Sequence, residues 1–198
     1  MKDMRRVCVF AGSNAGAKPV YAETARALGK ELARRKLELV YGGASRGLMG
    51  IMADATLAAG GKALGVLPRG LFRLELAHTG LTKLYEVGSM HRRKAQMADL
   101  ADAFIALPGG YGTFDELFEI ITWAQIGLHS KPIGLLDVAD YFAPLLALVA
   151  HAATEGFVPP RHTQLLLRAE TPAALLDQLA AYTPPEMEDK WTTEPPER

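Results

Sequence analysis

A single cysteine, Cys8, is all that the 198-residue sequence offers for thiol chemistry, which excludes a disulfide framework and a thiolate zinc site. Set in an apolar run, Cys8 reads as a small core residue, and the chain fits a reducing cytoplasm. Charge of one sign is missing too. The 22 basic and 22 acidic side chains cancel, so nothing pulls the whole molecule toward nucleic acid or an anionic membrane. Any anion site must be local. Long hydrophobic runs are also absent: MKDMRRVCVF has a basic flank but a short apolar stretch, and nowhere do about eighteen apolar residues follow one another, so neither a signal peptide nor a membrane span is expected. His78, His91, His129, His151 and His162 show no HExxH or paired-ligand spacing, and no metal or cofactor is expected. His91, beside a basic cluster, is the one histidine to test.

What is present is a rhythm. RVCVF (6–10), LELVY (37–41), ALGVL (63–67), AFIAL (103–107) and PIGLL (132–136) are near-continuous β-formers of the kind buried on both faces of a sheet, with further strands expected near 84–87 and 165–167. Amphipathic segments near 20–35, 47–60, 90–101, 113–127, 141–155 and 172–182 lie between or after them. Strand–helix alternation predicts an α/β fold, Rossmann-like and doubly wound, with a mostly parallel sheet and helices on both faces. One domain over 1–183 is expected. The Pro- and charge-rich segment 184–198 has little to bury and reads as a mobile tail.

Glycine gathers at three strand ends: AGSNAG (11–16), GGASRGLMG (42–50) and PGGYGT (108–113). Ligands of open α/β sheets sit at these carboxyl ends, and glycine there lets backbone N–H groups and a helix N-terminus approach a phosphate. The first loop is not G-x-G-x-x-G and the second strand lacks a ribose-binding acid at its end, which argues against a dinucleotide. GGASRGLMG lacks the Gly-Lys-Ser/Thr ending of a triphosphate loop. A monophosphate fits better.

Two charged residues flank that loop. Thr113 and Glu116 have the spacing of a capping box, Thr at the N-cap and Glu three residues on, which is the structural reading of Glu116. Against it, FDELFEIITWAQIG is apolar round most of its circumference, so the helix should be buried, in part against a second subunit, and Glu116 projects between Ile120 and Trp123. In MHRRKAQMADLA, Met90, Met97, Leu100 and Ala101 project as the buried stripe, with Arg93 and Lys94 at its edge and Arg92 toward solvent. A guanidinium at a core edge wants a carboxylate or phosphate, and Glu116 and a substrate are both candidates.

PGGYGTFDE together with SMHRRKAQM resembles the paired PGGxGTxxE and MHxRK signatures of the LOG ("lonely guy") family, the cytokinin riboside 5'-monophosphate phosphoribohydrolases, some of them formerly labelled lysine decarboxylases. The likeness runs from CVFAGSNAG through ITWAQIG to about residue 182. It implies a homodimeric Rossmann-like enzyme that releases adenine-type bases from nucleoside monophosphates. By the same resemblance Arg93 and Glu116 are the catalytic pair, with Lys94 beside them. Gly109, Gly110, Tyr111, Gly112 and Thr113 cradle phosphate and ribose, and Met90, Glu75 and Thr122 are further substrate contacts. Gly12, Ser13 and Gly43 line the neighbouring strand ends.

Glycosidic cleavage passes through a cationic sugar, so a carboxylate beside the ribose stabilises the developing charge and orients or deprotonates water. Glu116 is assigned that work, and Arg93 fixes the carboxylate. Three other readings stand beside this one: a broad AMP nucleosidase without a cytokinin role, a non-catalytic nucleotide-binding module, and a pyridoxal-dependent decarboxylase with Lys94 as Schiff base.

Overall fold

A computed structural model describes residues 4–69 and 77–185. Within them seven strands form one sheet in the order β4-β3-β2-β1-β5-β6-β7, and every pairing is parallel. The strands are β1 (Arg6–Phe10), β2 (Glu38–Tyr41), β3 (Ala63–Pro68), β4 (Lys83–Val87), β5 (Ala103–Ala106), β6 (Ile133–Leu136) and β7 (Leu166–Ala169). The helices are α1 (Pro19–Arg34), α2 (Gly47–Ala58), α3 (Met90–Leu100), α4 (Tyr111–Gln125), α5 (Ala143–Thr154) and α6 (Pro172–Ala181), and a 3-10 turn covers Pro160–Leu165. The expected α/β alternation is met element by element, and the sheet is wholly rather than mostly parallel.

Every residue of β3, β5 and β6 is buried, because helices cover both faces and leave no polar side for alternation to mark. Successive side chains still point opposite ways. Val7, Val9, Leu39, Tyr41 and Ile105 pack with α1, α2 and α6, whereas Cys8, Phe10, Val40, Phe104 and Ala106 pack with α3, α4 and the start of α5. Cys8 is wholly buried, and burial pushes its thiol well up from the ordinary value, as suits a core residue. The α1–α2 contact is close: a Cβ on Gly29 would come 2.4 Å from the carbonyl oxygen of Met52. Arg35 joins α1 to α6 through Asp177 at 2.6 Å. Among the described residues no helix is long and apolar enough to cross a membrane.

The chain runs outward from β1 to β4, then returns to β5 on the other side of β1. This reversal opens the crevice where ligands of such sheets sit. The loops after β1 and β5 touch across it, Gly12 N–H donating to Pro108 O at 3.0 Å.

Three expectations are corrected. The capping box is absent: α4 begins at Tyr111 on Gly110 as N-cap, so Thr113 lies in the first turn and Glu116 further inside. The cause is Gly109, whose missing Cβ leaves room for the Thr113 side chain; a Cβ there would come 2.1 Å from Thr113 Oγ1. Met90 is 46% exposed rather than part of the buried stripe, because it is the first residue of α3 and lies beyond the packed turn. Nor is α4 buried all round in the single chain. Phe118 and Ile126 are exposed, and Leu128, just beyond, is more so.

Candidate active site

Ser89 caps α3, its hydroxyl accepting from Arg92 N–H at 3.2 Å, and thereby sets the helical phase that turns Arg93 inward and Arg92 outward. Arg93 is 9% exposed and Glu116 8%. The guanidinium donates from Nε to Val66 O at 3.1 Å and from Nη1 to Glu116 Oε1 at 2.5 Å, which joins β3, α3 and α4 at one point. Among the described residues Glu116 Oε2 accepts no hydrogen bond.

Gly42 makes room for this arrangement. A Cβ at position 42 would stand 2.1 Å from Arg93 Nη2, so the end of β2 is hollowed for the guanidinium. Burial raises the Glu116 carboxyl from its ordinary value, with Arg93 pulling the other way. A buried carboxyl whose proton affinity is raised is suited to take a proton from water or a hydroxyl near neutral pH.

Lys94 points along the other side of α3 and bridges Asp115 at 3.1 Å and Glu119 at 3.0 Å. Burial lowers its pKa, but the bonds to Glu119 and Asp115 outweigh that and raise it. Lys94 is thus held as an ammonium that clamps α3 to α4. A Schiff base needs the free amine.

The glycine loops supply free backbone donors and open space. Tyr111, Gly112 and Thr113 form the first turn of α4, whose leading N–H groups have no partner within the helix. Built Cβ atoms on Gly110 and Gly112 would meet nothing within 4 Å. Neither residue has positive φ, so neither packing nor backbone conformation asks for glycine there. The space in front of the helix is open. Between this turn and the first loop lies a cavity of about 180 Å³, lined by Ser13, Asn14, Gly16, Tyr21, Gly110 and Tyr141. A larger groove of about 560 Å³ lies on the outer faces of α1 and α2 around Arg26, Lys30 and Asp54, and shares no residue with this crevice.

The structure therefore brings together Arg93 and Glu116, and separately Gly12 and Ser13 with the 109–113 turn. Thr122 is not among them. It is six residues past Glu116, roughly 240° round and roughly 9 Å down the helix, exposed, and its hydroxyl donates to Phe118 O at 2.7 Å. Gly43 is buried against Gly65 with φ 78°, its carbonyl accepting from His78 N–H at 2.9 Å, so the turn itself requires glycine there. His91 is exposed beside the cluster. Glu75 lies outside the described residues. Sequence reasoning missed Gly42, the Lys94 partners Asp115 and Glu119, and Tyr141. Only the acids carried a signal, their spacing of four on one helix face.

Fold and site together define a doubly wound α/β protein that sets glycine loops and an open helix N-terminus beside a buried arginine–glutamate pair. A family described as "Possible lysine decarboxylase" matches residues 49–179. A probable cytokinin riboside 5'-monophosphate phosphoribohydrolase of Oryza sativa subsp. japonica, LOGL9, is 50% identical over 180 residues, 91% of this chain and 79% of its own length. The cytokinin riboside 5'-monophosphate phosphoribohydrolase LOG7 of Arabidopsis thaliana is 48% identical over 91% of this chain and 83% of its own. The chain belongs to this LOG family of phosphoribohydrolases, to which the decarboxylase description is also attached. In fold alone it is similar to the molybdenum cofactor carrier protein of Chlamydomonas reinhardtii, with a TM-score of 0.69 at 21% identity over 90% of this chain and 99% of that one.

Proposed function

We propose that this protein hydrolyses the N-glycosidic bond of a nucleoside 5'-monophosphate, cytokinin riboside 5'-monophosphate or AMP, to the free base and ribose 5-phosphate. One observation carries the reading: a buried carboxylate, Glu116, is gripped by Arg93 six residues into a helix whose N-terminus is open to an anion. Six residues span roughly 9 Å along the axis, the scale of a ribose 5-phosphate. Relatives at about half identity carry this activity in their names.

In this mechanism the 5'-phosphate docks on the N–H groups of Gly109, Gly110, Tyr111, Gly112 and Thr113, with Gly12 and Ser13 closing the far side. Remote binding at the phosphate positions C1' beside Glu116. As the C1'–N bond breaks, its electrons leave with the base, which takes up a proton from solvent, and positive charge spreads over C1' and the ring oxygen. Glu116 stabilises that charge and takes the proton of the attacking water, whose oxygen bonds to C1'. Arg93 holds the carboxylate in place. Met90 and Glu75 are assigned to the substrate and Gly43 to the strand-end lining, while Thr122, turned outward on α4, is assigned to the substrate only as a residue reaching across the dimer. Lys94 secures α3 against α4. The enzyme is a homodimer of one domain (1–183) with a tail (184–198), working in the cytoplasm. The exposed apolar residues of α4 and α5 and the lone buried thiol support that setting.

Chromatography of products from a panel of nucleoside monophosphates tests the reading, AMP against isopentenylated AMP deciding the base. Glu116→Gln that folds and still releases base and ribose 5-phosphate at the wild-type rate would sink it.

A further inference from the structure

Tyr141 lies 32 residues beyond the glycine turn, yet its hydroxyl donates to the carbonyl oxygen of Gly109. The peptide it grips joins Gly109 to Gly110, the N-cap of α4. A peptide unit is planar, with C=O and N–H pointing in opposite directions, so holding the carbonyl also aims the N–H of Gly110. Flanked by two glycines, this unit has no Cβ to bias it, and rotation about its neighbouring bonds meets less resistance than between any other residues. A glycine pair leaves the space open for a ligand and gives up local control of the peptide. Tyr141 restores the control from outside.

The delivery of Tyr141 is costly, which argues that its position matters. The two residues before it, Ala139 and Asp140, both adopt the left-handed region, with φ 53° and 56°, and neither is glycine. Surrounding contacts impose this turn. Buried Asp137 accepts from Phe142 N–H at 2.9 Å and pairs with Arg168 at 2.7 Å, and Arg168 also reaches Asp140 at 3.0 Å. The Tyr141 ring is wedged edge-on against Tyr21 at 5.9 Å and Phe142 at 5.1 Å. Tyr21 is covered by the first glycine loop, where a Cβ on Gly16 would come 2.7 Å from the Tyr21 ring. The two loops are thus joined twice, directly by Gly12 and Pro108 and again through the tyrosine pair.

We infer that Tyr141 is a positioning residue for the 5'-phosphate: its hydroxyl holds the Gly109–Gly110 peptide so that the N-cap N–H of α4 faces the anion. This rests on the function proposed above. It touches neither the base nor the bond that breaks.

Tyr141→Phe keeps the ring packing and removes only the hydroxyl. KM for AMP should rise about five- to tenfold, the worth of one hydrogen bond, with kcat within about twofold and adenosine cleavage unaltered. Ribose 5-phosphate, titrated by calorimetry, should bind more weakly by the same factor, while the melting temperature stays within a few degrees. Unchanged ribose 5-phosphate affinity overturns the inference. So does a variant in which AMP and adenosine turnover fall together with the melting temperature, since that marks a merely structural role. Wild-type protein that releases no base from any nucleoside monophosphate overturns the proposed function instead, and the calorimetric comparison still decides the role of Tyr141.

Discussion

Arg93 and Glu116 stand 2.5 Å apart although 23 residues separate them, each on a different helix and each almost wholly buried. Removing one partner of such a pair leaves a buried charge uncompensated, whereas replacing both by apolar groups removes the desolvation penalty as well. Arg93→Ala should lower stability by about 3–5 kcal/mol in urea unfolding. The double variant Arg93→Met/Glu116→Leu should regain most of that and release no base.

The pH dependence of Glu116 follows from its raised carboxyl. A carboxyl raised on folding contributes stability that is fully present below its unfolded value, 4.5, and lost as pH rises through the folded value. The urea midpoint of the wild type, taken relative to that of Glu116→Gln, should therefore fall as pH rises above about 4.5. In the wild type the acid limb of kcat/KM should fall above pH 4.5, because the carboxylate must be ionised to act as a base.

Gly112 is the second residue of α4, where alanine favours the helix over glycine by at most about 1 kcal/mol, and a Cβ there meets nothing within 4 Å. Gly112→Ala should accordingly raise the melting temperature while lowering kcat/KM by about a hundredfold, since the methyl group stands where the phosphate must approach. A variant that gains stability and keeps full activity would remove the turn from the binding site.

Phe118, Thr122 and Ile126 form a stripe along α4, and Leu128, Leu148 and Phe157 are exposed beyond it. Phe118→Glu combined with Leu128→Glu should leave the monomer folded and break the proposed homodimer, which a fall of the sedimentation coefficient to that of a monomer would register. Placing a charge at each of two exposed positions should alter monomer stability by no more than about 0.5 kcal/mol.

Strands buried on both faces are continuous apolar runs, and for that reason the inner strands were legible before any geometry was known, whereas the edge strands β4 and β7, only partly buried, left a fainter pattern. The inward turn of Arg93 was legible too, because Met97 four residues on fixed the core side of its helix. The start of α4 was not. Thr113 and Glu116 fit a capping box by spacing, and only the packing of Thr113 on Gly109 decides that the N-cap falls three residues earlier, at Gly110. Met90 was misplaced because a projection assigns a face but not the depth of a helix end. Tyr141 and Gly42 were invisible because each acts across the fold, and neither its type nor its neighbours announce a partner.

Gly42 and Arg93 occupy, in effect, one side chain's worth of space: the guanidinium Nη2 stands 2.1 Å from where a Cβ on residue 42 would be. The two positions are not independently variable. Any larger residue at the end of β2 evicts the guanidinium, and an assay would then report a lost arginine although residue 93 was untouched. Loss of activity at position 42 is therefore a displaced charge rather than a lost substrate contact, and regaining it requires shortening the side chain at 42, not strengthening the grip on the nucleotide.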